Sequence, residues 1–198
     1  MSGERFLEAS MSTENPESLR ILNASIREAF SRVVYSHKTH EKAREIESDR
    51  VTLVKWTNII LTTLTSAGLL GTIITDAHVL LYLSSALAAV TLAFTIFQFS
   101  FDPAGAADKH RTAANELWYV RERYCNLLAD VRRGVPEEEV ARRRDELTDE
   151  LNEVYSHAPS TSSRAYRKAQ EALKISEDMT FSAAEINKFL PKELHEEE

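Results

Sequence analysis

The sequence predicts an all-α membrane protein in which a hairpin of two transmembrane helices joins a cytoplasmic helical bundle formed by the N- and C-terminal flanks. Two runs, residues 56–75 and 79–101, contain no Asp, Glu, Lys or Arg, so all 55 charged residues lie outside them. In the flanks, apolar residues recur at spacings of three and four, which is typical of amphipathic helices. No stretch alternates in the two-residue period of a strand.

The chain divides into four parts. Residues 1–15 form a polar tail without the apolar core of a secretory signal peptide. Residues 16–55 are predicted to form an amphipathic helix and a charged stalk, starting at Pro16, a residue favoured in the first helical turn. Residues 56–101 form the hairpin and 102–198 the cytoplasmic helical region. The apolar face of the first helix carries Leu19, Leu22, Ile26, Phe30 and Val33.

The two uncharged runs have the length of membrane spans. As helices they extend about 30 Å and about 34 Å, close to the thickness of about 30 Å of a hydrocarbon core. One continuous helix over 56–101 would measure about 69 Å, more than twice that thickness, so the chain must fold back. Asp76-Ala77-His78 contains the only charge between the runs and is the predicted turn. The alternative is a pair of long core helices in a soluble protein.

The distribution of basic residues predicts the orientation. Five lie within 20 residues before the first run and three within 20 residues after the second, whereas the turn has none: Lys38, Lys42, Arg44, Arg50 and Lys55, then Lys109, Arg111 and Arg121. Because cytoplasmic flanks are enriched in Lys and Arg, we expect both termini in the cytoplasm and the turn on the other side of the membrane.

The C-terminal region is predicted to contain several helices. The first has a heptad-like apolar stripe (Ala106, Ala113, Leu117, Val120, Tyr124, Leu127, Val131). Gly134 should end it, and Pro136 followed by three Glu should begin the next. That next helix buries Val140, Leu147, Leu151 and Val154. Near the end, Ser182 and Glu185 have the spacing of a capping box.

Each span carries one polar stripe at helical spacing. The stripes contain seven candidate pore-lining residues, Asn58, Thr62, Thr65 and Thr72 in the first span and Thr91, Thr95 and Gln98 in the second. A stripe can line a water-filled pore when several hairpins assemble. It can also hydrogen-bond the other span, with Ala67, Gly68 and Gly71 allowing close approach. We expect one stripe to pack inside the hairpin and the Thr-rich first span to line a pore.

A candidate ligand site precedes a predicted helix near residue 163. Ser160, Thr161, Ser163 and Arg164 offer hydroxyls and a guanidinium at a helix start, where a phosphate can bind. Helix capping explains the Ser and Thr residues equally well.

The histidines are expected to be structural. His37, His40 and Glu41 share one helical face, but on a charged stalk we expect surface side chains and no metal site. His110 lies on an apolar stripe and is expected to be buried.

The chain lacks the marks of several function classes. It has none of the common nucleotide-binding or hydrolase motifs, so an enzyme is disfavoured and no cofactor is expected. Its net charge of −7 argues against direct binding of nucleic acid. Cys125 is the only cysteine, which excludes an intrachain disulfide.

Several segments in a fixed order carry a resemblance to a known family. They are YSHKTHEK before the first span, AADKHRTAANELWYVRERYCNLLADV after the second, RRDELTDELNEVYSHAPSTSSRAYRKAQEAL, and TFSAAEINKFLP. From about Leu19 to Leu190 the chain resembles the SLATT family, the SMODS- and SLOG-associating two-transmembrane effector proteins of bacteria, and within it the fifth subfamily.

The resemblance implies a pore-forming effector of an anti-phage conflict system that permeabilises the inner membrane. Because a shared pore needs several hairpins, we expect a homo-oligomer in the lipid bilayer. The triggers that the resemblance implies are a cyclic nucleotide second messenger, or a co-encoded nucleotidyltransferase or reverse transcriptase. It carries over no catalytic residues. Two alternatives remain open, namely a non-conducting membrane anchor that docks a partner enzyme, and a soluble helical oligomer with the hairpin buried between subunits.

Overall fold

The computed structural model describes residues 16–75 and 78–195, and the described chain is all-helical. Within the described residues six α-helices follow one another, and one 3-10 turn lies at Lys192–Leu194: α1 Pro16–Thr75, α2 His78–Ser100, α3 Pro103–Arg132, α4 Glu137–His157, α5 Ser163–Lys174 and α6 Ala183–Phe189. No strand occurs within these described ranges. The predicted all-α fold with two long apolar helices is therefore confirmed. The predicted N-terminal tail and the Asp76-Ala77 part of the turn lie outside the described residues.

Helix α1 is the longest element and connects the bundle to the first span. It runs unbroken for 60 residues, about 90 Å. Its amphipathic start, its charged middle and its uncharged end are therefore parts of one continuous helix. The absence of Gly and Pro between positions 17 and 67 explains the continuity, because these are the residues that break helices.

The helical bundle outside the spans is built from α1, α3 and α4 around one apolar core. Ile26 and Val33 of α1, Leu117 and Tyr124 of α3 and Val140 of α4 are fully buried in it. A smaller cluster joins Ala43 and Ile46 of α1 to Ala165 of α5. The apolar faces read from the sequence are thus the faces that pack.

Local signals define the helix ends in the C-terminal half. After α3 the chain reverses at Gly134, which has a positive φ of 81°, a conformation that costs glycine little. Asp102 caps α3 by accepting a hydrogen bond from the Gly105 amide at 2.9 Å. Ser182 and Glu185 form the predicted capping box at the start of α6.

The two spans form a close antiparallel hairpin. A Cβ placed on Gly68 would lie 2.2 Å from Ser84 Oγ, and one placed on Gly71 would lie 2.8 Å from a methyl carbon of Leu80. Ser84 is only 3% exposed. Both glycines therefore lie where the helices approach closely, and a larger residue at either position would have to displace the side chain of Ser84 or Leu80.

The outer surface of the hairpin is apolar and uncovered. Ile73, Ile74 and Leu92 are 80%, 83% and 62% exposed. Two helices are long and apolar enough to cross a membrane, and little of their apolar windows is buried inside the protein. The alternative of core helices in a soluble monomer is therefore not supported, since such helices would be covered by the rest of the chain.

Candidate functional site

Part of one polar stripe is hydrogen-bonded inside the hairpin, whereas Nε2 of Gln98 is buried there without a hydrogen-bond partner among the described residues. The Oγ1 atoms of Thr65 and Thr91 share a hydrogen bond at 3.2 Å, and each hydroxyl also donates to a backbone carbonyl one turn earlier. Continuing this register places Asn58 of α1 opposite Gln98 of α2. Six of the seven candidate pore residues are partly buried (Asn58, Thr65, Thr72, Thr91, Thr95, Gln98). Of the seven, only Thr62 is exposed, on the outside of the hairpin.

A second polar patch lies on the outer face of α1. Thr62, Thr63 and Ser66 are exposed, and their hydroxyls have no hydrogen-bond partner within the described chain. Lys55 is exposed about two turns below Thr62 on the same side of the helix. The sequence reasoning found Thr62 but missed Thr63 and Ser66, because it followed the spacing through Thr65. The four-residue step from Thr62 to Ser66 was the signal that would have found the patch.

The stalk histidines are buried, so the expectation that they lie on a solvated surface is wrong. His37 and His40 are each 5% exposed, because α3 packs along the stalk and its small residues allow close approach. A ring nitrogen of His37 contacts the Ala114 carbonyl oxygen at 2.9 Å. His40 Nδ1 lies 3.0 Å from His110 Nδ1 on α3. His110 is buried as expected.

The His40–His110 pair is neutral near pH 7. Burial, reinforced by the neighbouring histidines, lowers the pKa of His40 to about 4. Burial also lowers the pKa of His110, opposed in part by Glu47. A contact between two Nδ1 atoms of neutral rings holds one proton, since one nitrogen must donate and the other accept. Among the described residues, no group of three or more His, Cys, Asp or Glu side chains has the arrangement of a metal site.

Acidification is expected to destabilise the bundle through this pair. Between pH 6.5 and about 4 the unfolded chain binds more protons at His40 than the folded chain, so the free energy of unfolding falls as the pH falls through that window. We expect a loss of about 2 kcal/mol between pH 7 and pH 4.5. Denaturant titrations of the detergent-solubilised chain at both pH values measure it.

The control for this prediction is His40→Gln, which keeps a polar side chain without a titrating ring. The hydrogen bond to Glu116 raises the pKa of His157, which opposes the effect of His40 in the same window, so the comparison must be made between variants. An equal pH dependence in His40→Gln would contradict the assignment.

An ion-pair cluster ties the segment after α5 to the stalk. Lys38 Nζ contacts Glu41 at 2.9 Å and Asp178 at 3.0 Å. Burial lowers the pKa of Lys38, but the hydrogen bonds from these two carboxylates outweigh burial and raise it above its ordinary value. Glu177 and Met179 on either side of Asp178 have positive φ angles of 52° and 72°. The chain therefore adopts an unusual backbone conformation where it returns to α1.

A pocket lies beside the buried histidines, between α1 and the connection from α4 to α5. It has a volume of about 390 Å³ and ten lining residues: Tyr35, Ser36, Thr39, His40, Tyr155, Ala158, Pro159, Ser160, Thr161 and Tyr166. Of the four candidate ligand residues, Ser160 and Thr161 line this pocket. Ser163 and Arg164 begin α5 and do not line it.

The fold and the site together define a class of protein. A two-helix hairpin with an uncovered apolar surface, continued by one helix into a polar bundle, is typical of a two-span integral membrane protein. The model of the SMODS and SLOG-associating 2TM effector domain family 4, SLATT_4, matches residues 22–185. The chain belongs to this family.

The match corrects one expectation and supports others. The chain was expected in the fifth subfamily, but the matching model is that of the fourth. The segments behind the resemblance describe the order of elements common to the family, which does not separate its subfamilies. A two-transmembrane effector domain places the protein in a membrane and is not a known catalytic family. Comparisons with curated proteins and with solved structures found no match.

Proposed function

We propose that this protein is a pore-forming effector that permeabilises the bacterial inner membrane when its cytoplasmic bundle receives a signal. Its membership of a two-transmembrane effector family supports an action at the membrane. The observation that carries the pore is the patch of Thr62, Thr63 and Ser66, which lies uncovered within the first span.

The patch favours assembly into a homo-oligomer with α1 facing inward. Hydroxyls exposed to hydrocarbon lack partners, whereas water in a pore or a neighbouring copy can satisfy them. The exposed face of α2 is mostly aliphatic and suits contact with lipid. The inner stripe of Thr65 and Thr91 is already hydrogen-bonded within one protomer, so it has less need of pore water. Lys55 would then lie near the cytoplasmic mouth.

The orientation and the trigger complete the proposal. Basic residues on both flanks favour cytoplasmic termini. The bundle would sense a cyclic nucleotide, or a co-encoded nucleotidyltransferase or reverse transcriptase. Any such signal opens the pore only if it binds the open arrangement better than the closed one.

Thr62→Leu combined with Ser66→Leu tests the pore. Because the substitutions replace pore-facing hydroxyls with larger apolar side chains, we expect ion conductance in proteoliposomes to fall by about tenfold. The oligomer size in detergent should not change. Conductance is measured on vesicles with equal protein content.

Ser85→Leu is the matched control, since Ser85 is an exposed hydroxyl on the outer face of α2. It should conduct as the unchanged protein does. Undiminished conductance in the Thr62/Ser66 variant would remove the outer face of α1 from the pore.

A non-conducting membrane anchor is the second candidate. The region around α6 exposes several large apolar side chains, among them Phe181, Ile186 and Phe189, which suits a surface that docks a partner enzyme. This function predicts no leak from proteoliposomes containing the purified chain alone, and toxicity only when the partner is present.

A further inference from the structure

We propose that the pocket between α1 and the α4–α5 connection binds a nucleoside or nucleoside monophosphate. The binding claim rests on the pocket alone. The proposal that ligand binding in this pocket triggers the protein rests in addition on the proposed pore function.

The walls of the pocket present three tyrosines. Tyr35 of α1 and Tyr166 of α5 have ring centroids 6.3 Å apart with planes tilted by 36°. The Tyr155 hydroxyl of α4 shares a hydrogen bond with Ser36 Oγ at 2.8 Å, which holds the third ring in place. A volume of about 390 Å³ lies in the range of pockets for small organic ligands. Aromatic walls of this kind stack on the faces of planar rings.

The pocket also offers polar groups without partners in the protein. His40 is 95% buried and has Nδ1 engaged with His110, while its other ring nitrogen has no partner among residues 16–75 and 78–195. The hydroxyls of Ser160 and Thr161 likewise have none in the described chain. One ring nitrogen beside two hydroxyls matches the mixed donors and acceptors on the edge of a nucleobase and its ribose.

The absence of charged side chains from the lining favours a ligand with few phosphates. None of the ten lining residues is Lys, Arg, Asp or Glu. Helix α5 begins two residues after Thr161, and the amides of Ser163 and Arg164 in its first turn are free of intrahelical bonds. A helix start of this kind accommodates one phosphate. The chemistry therefore favours a nucleoside or its monophosphate over a triphosphate.

His40 links the pocket to both spans. It lies on α1, which continues unbroken into the first span, and its Nδ1 contacts His110 on α3, which follows directly after α2. A ligand that donates to or accepts from the free ring nitrogen of His40 decides which ring of the pair keeps the shared proton. Ligand binding in the pocket would thereby alter the His40–His110 contact between α1 and α3.

Binding to the full chain in lipid nanodiscs tests the pocket, with adenosine, guanosine, their 5′-monophosphates, ATP and inorganic phosphate as probes. We expect saturable binding of nucleosides or monophosphates, weaker binding of ATP and none of phosphate. Tyr166→Ala should weaken the binding by about tenfold, the size of one lost stacking contact, while Tyr166→Phe should retain it. Tyr166 is 47% exposed, so its truncation leaves the core intact.

Tyr119→Ala is the matched control, since Tyr119 is an exposed tyrosine of α3 outside the pocket, and it should bind as the unchanged chain does. No saturable binding of any nucleoside or monophosphate, binding of phosphate alone, or unchanged affinity in Tyr166→Ala would each overturn the proposal. If the chain binds a probe but never conducts ions, the proposed binding site stands and only the proposed pore is refuted. If ion conductance does not change when a probe is bound, ligand binding in this pocket is not the trigger.

Discussion

Leu92→Arg is expected to weaken the membrane insertion of the protein and to abolish any depolarisation that it causes. Leu92 is 62% exposed on the outer face of α2, near the middle of the second span. An arginine at the centre of a spanning helix costs about 2.5–3.5 kcal/mol, which is about a hundredfold against insertion. Carbonate-resistant membrane pellets and a potential-sensitive dye in living bacteria measure the two effects.

Leu194→Arg is the control for this substitution. Leu194 is 61% exposed in the 3-10 turn outside the spans, so the same change of side chain should leave insertion and depolarisation intact. If the Leu92→Arg chain stays in the pellet and still depolarises cells, the second span does not face lipid at this position. Recovery of the unchanged protein in a detergent-free high-speed supernatant would favour the soluble oligomer.

Leu117→Ala is expected to lower the free energy of unfolding of the helical bundle by about 2–5 kcal/mol, because it opens a cavity in a packed core. Leu117 is fully buried in α3, between the apolar faces of α1 and α4. Denaturant titration of the full chain in detergent, followed by circular dichroism, measures the loss.

The matched control for the core is Leu194→Ala. The same truncation at this exposed leucine should change stability by less than about 0.5 kcal/mol. Equal losses at Leu117 and Leu194 would contradict the assignment of the core. A loss at Leu117 together with retained membrane insertion would show that the hairpin does not depend on the bundle for its membrane association.

Local sequence patterns were sufficient to predict the helices of this fold and several of their ends. The two uncharged runs, the apolar face with Leu22 and Val33, the reversal at Gly134 and the capping box at Ser182 all depend on residues a few positions apart. Such features follow from helical periodicity and from capping chemistry, which one segment contains in full. The resemblance identified the family correctly but assigned the chain to the wrong subfamily.

The same local patterns could not predict which distant segment packs against each helix face. Periodicity placed Thr62 and Thr65 on one stripe, but the hairpin register puts Thr65 against Thr91 and leaves Thr62 outside with Thr63 and Ser66. It also read His37 and His40 as solvated, since nothing near them in sequence reveals α3.

The sequence by itself therefore determined an all-helical chain with two spans, a polar bundle and the ends of several helices. Only the tertiary structure decided that Thr65 and Thr91 are hydrogen-bonded to each other, that His40 faces His110, and that Ser160 and Thr161 share a pocket with three tyrosines. The physical reason is that a residue's spacing defines its helix face, whereas its burial depends on packing against segments distant in the chain.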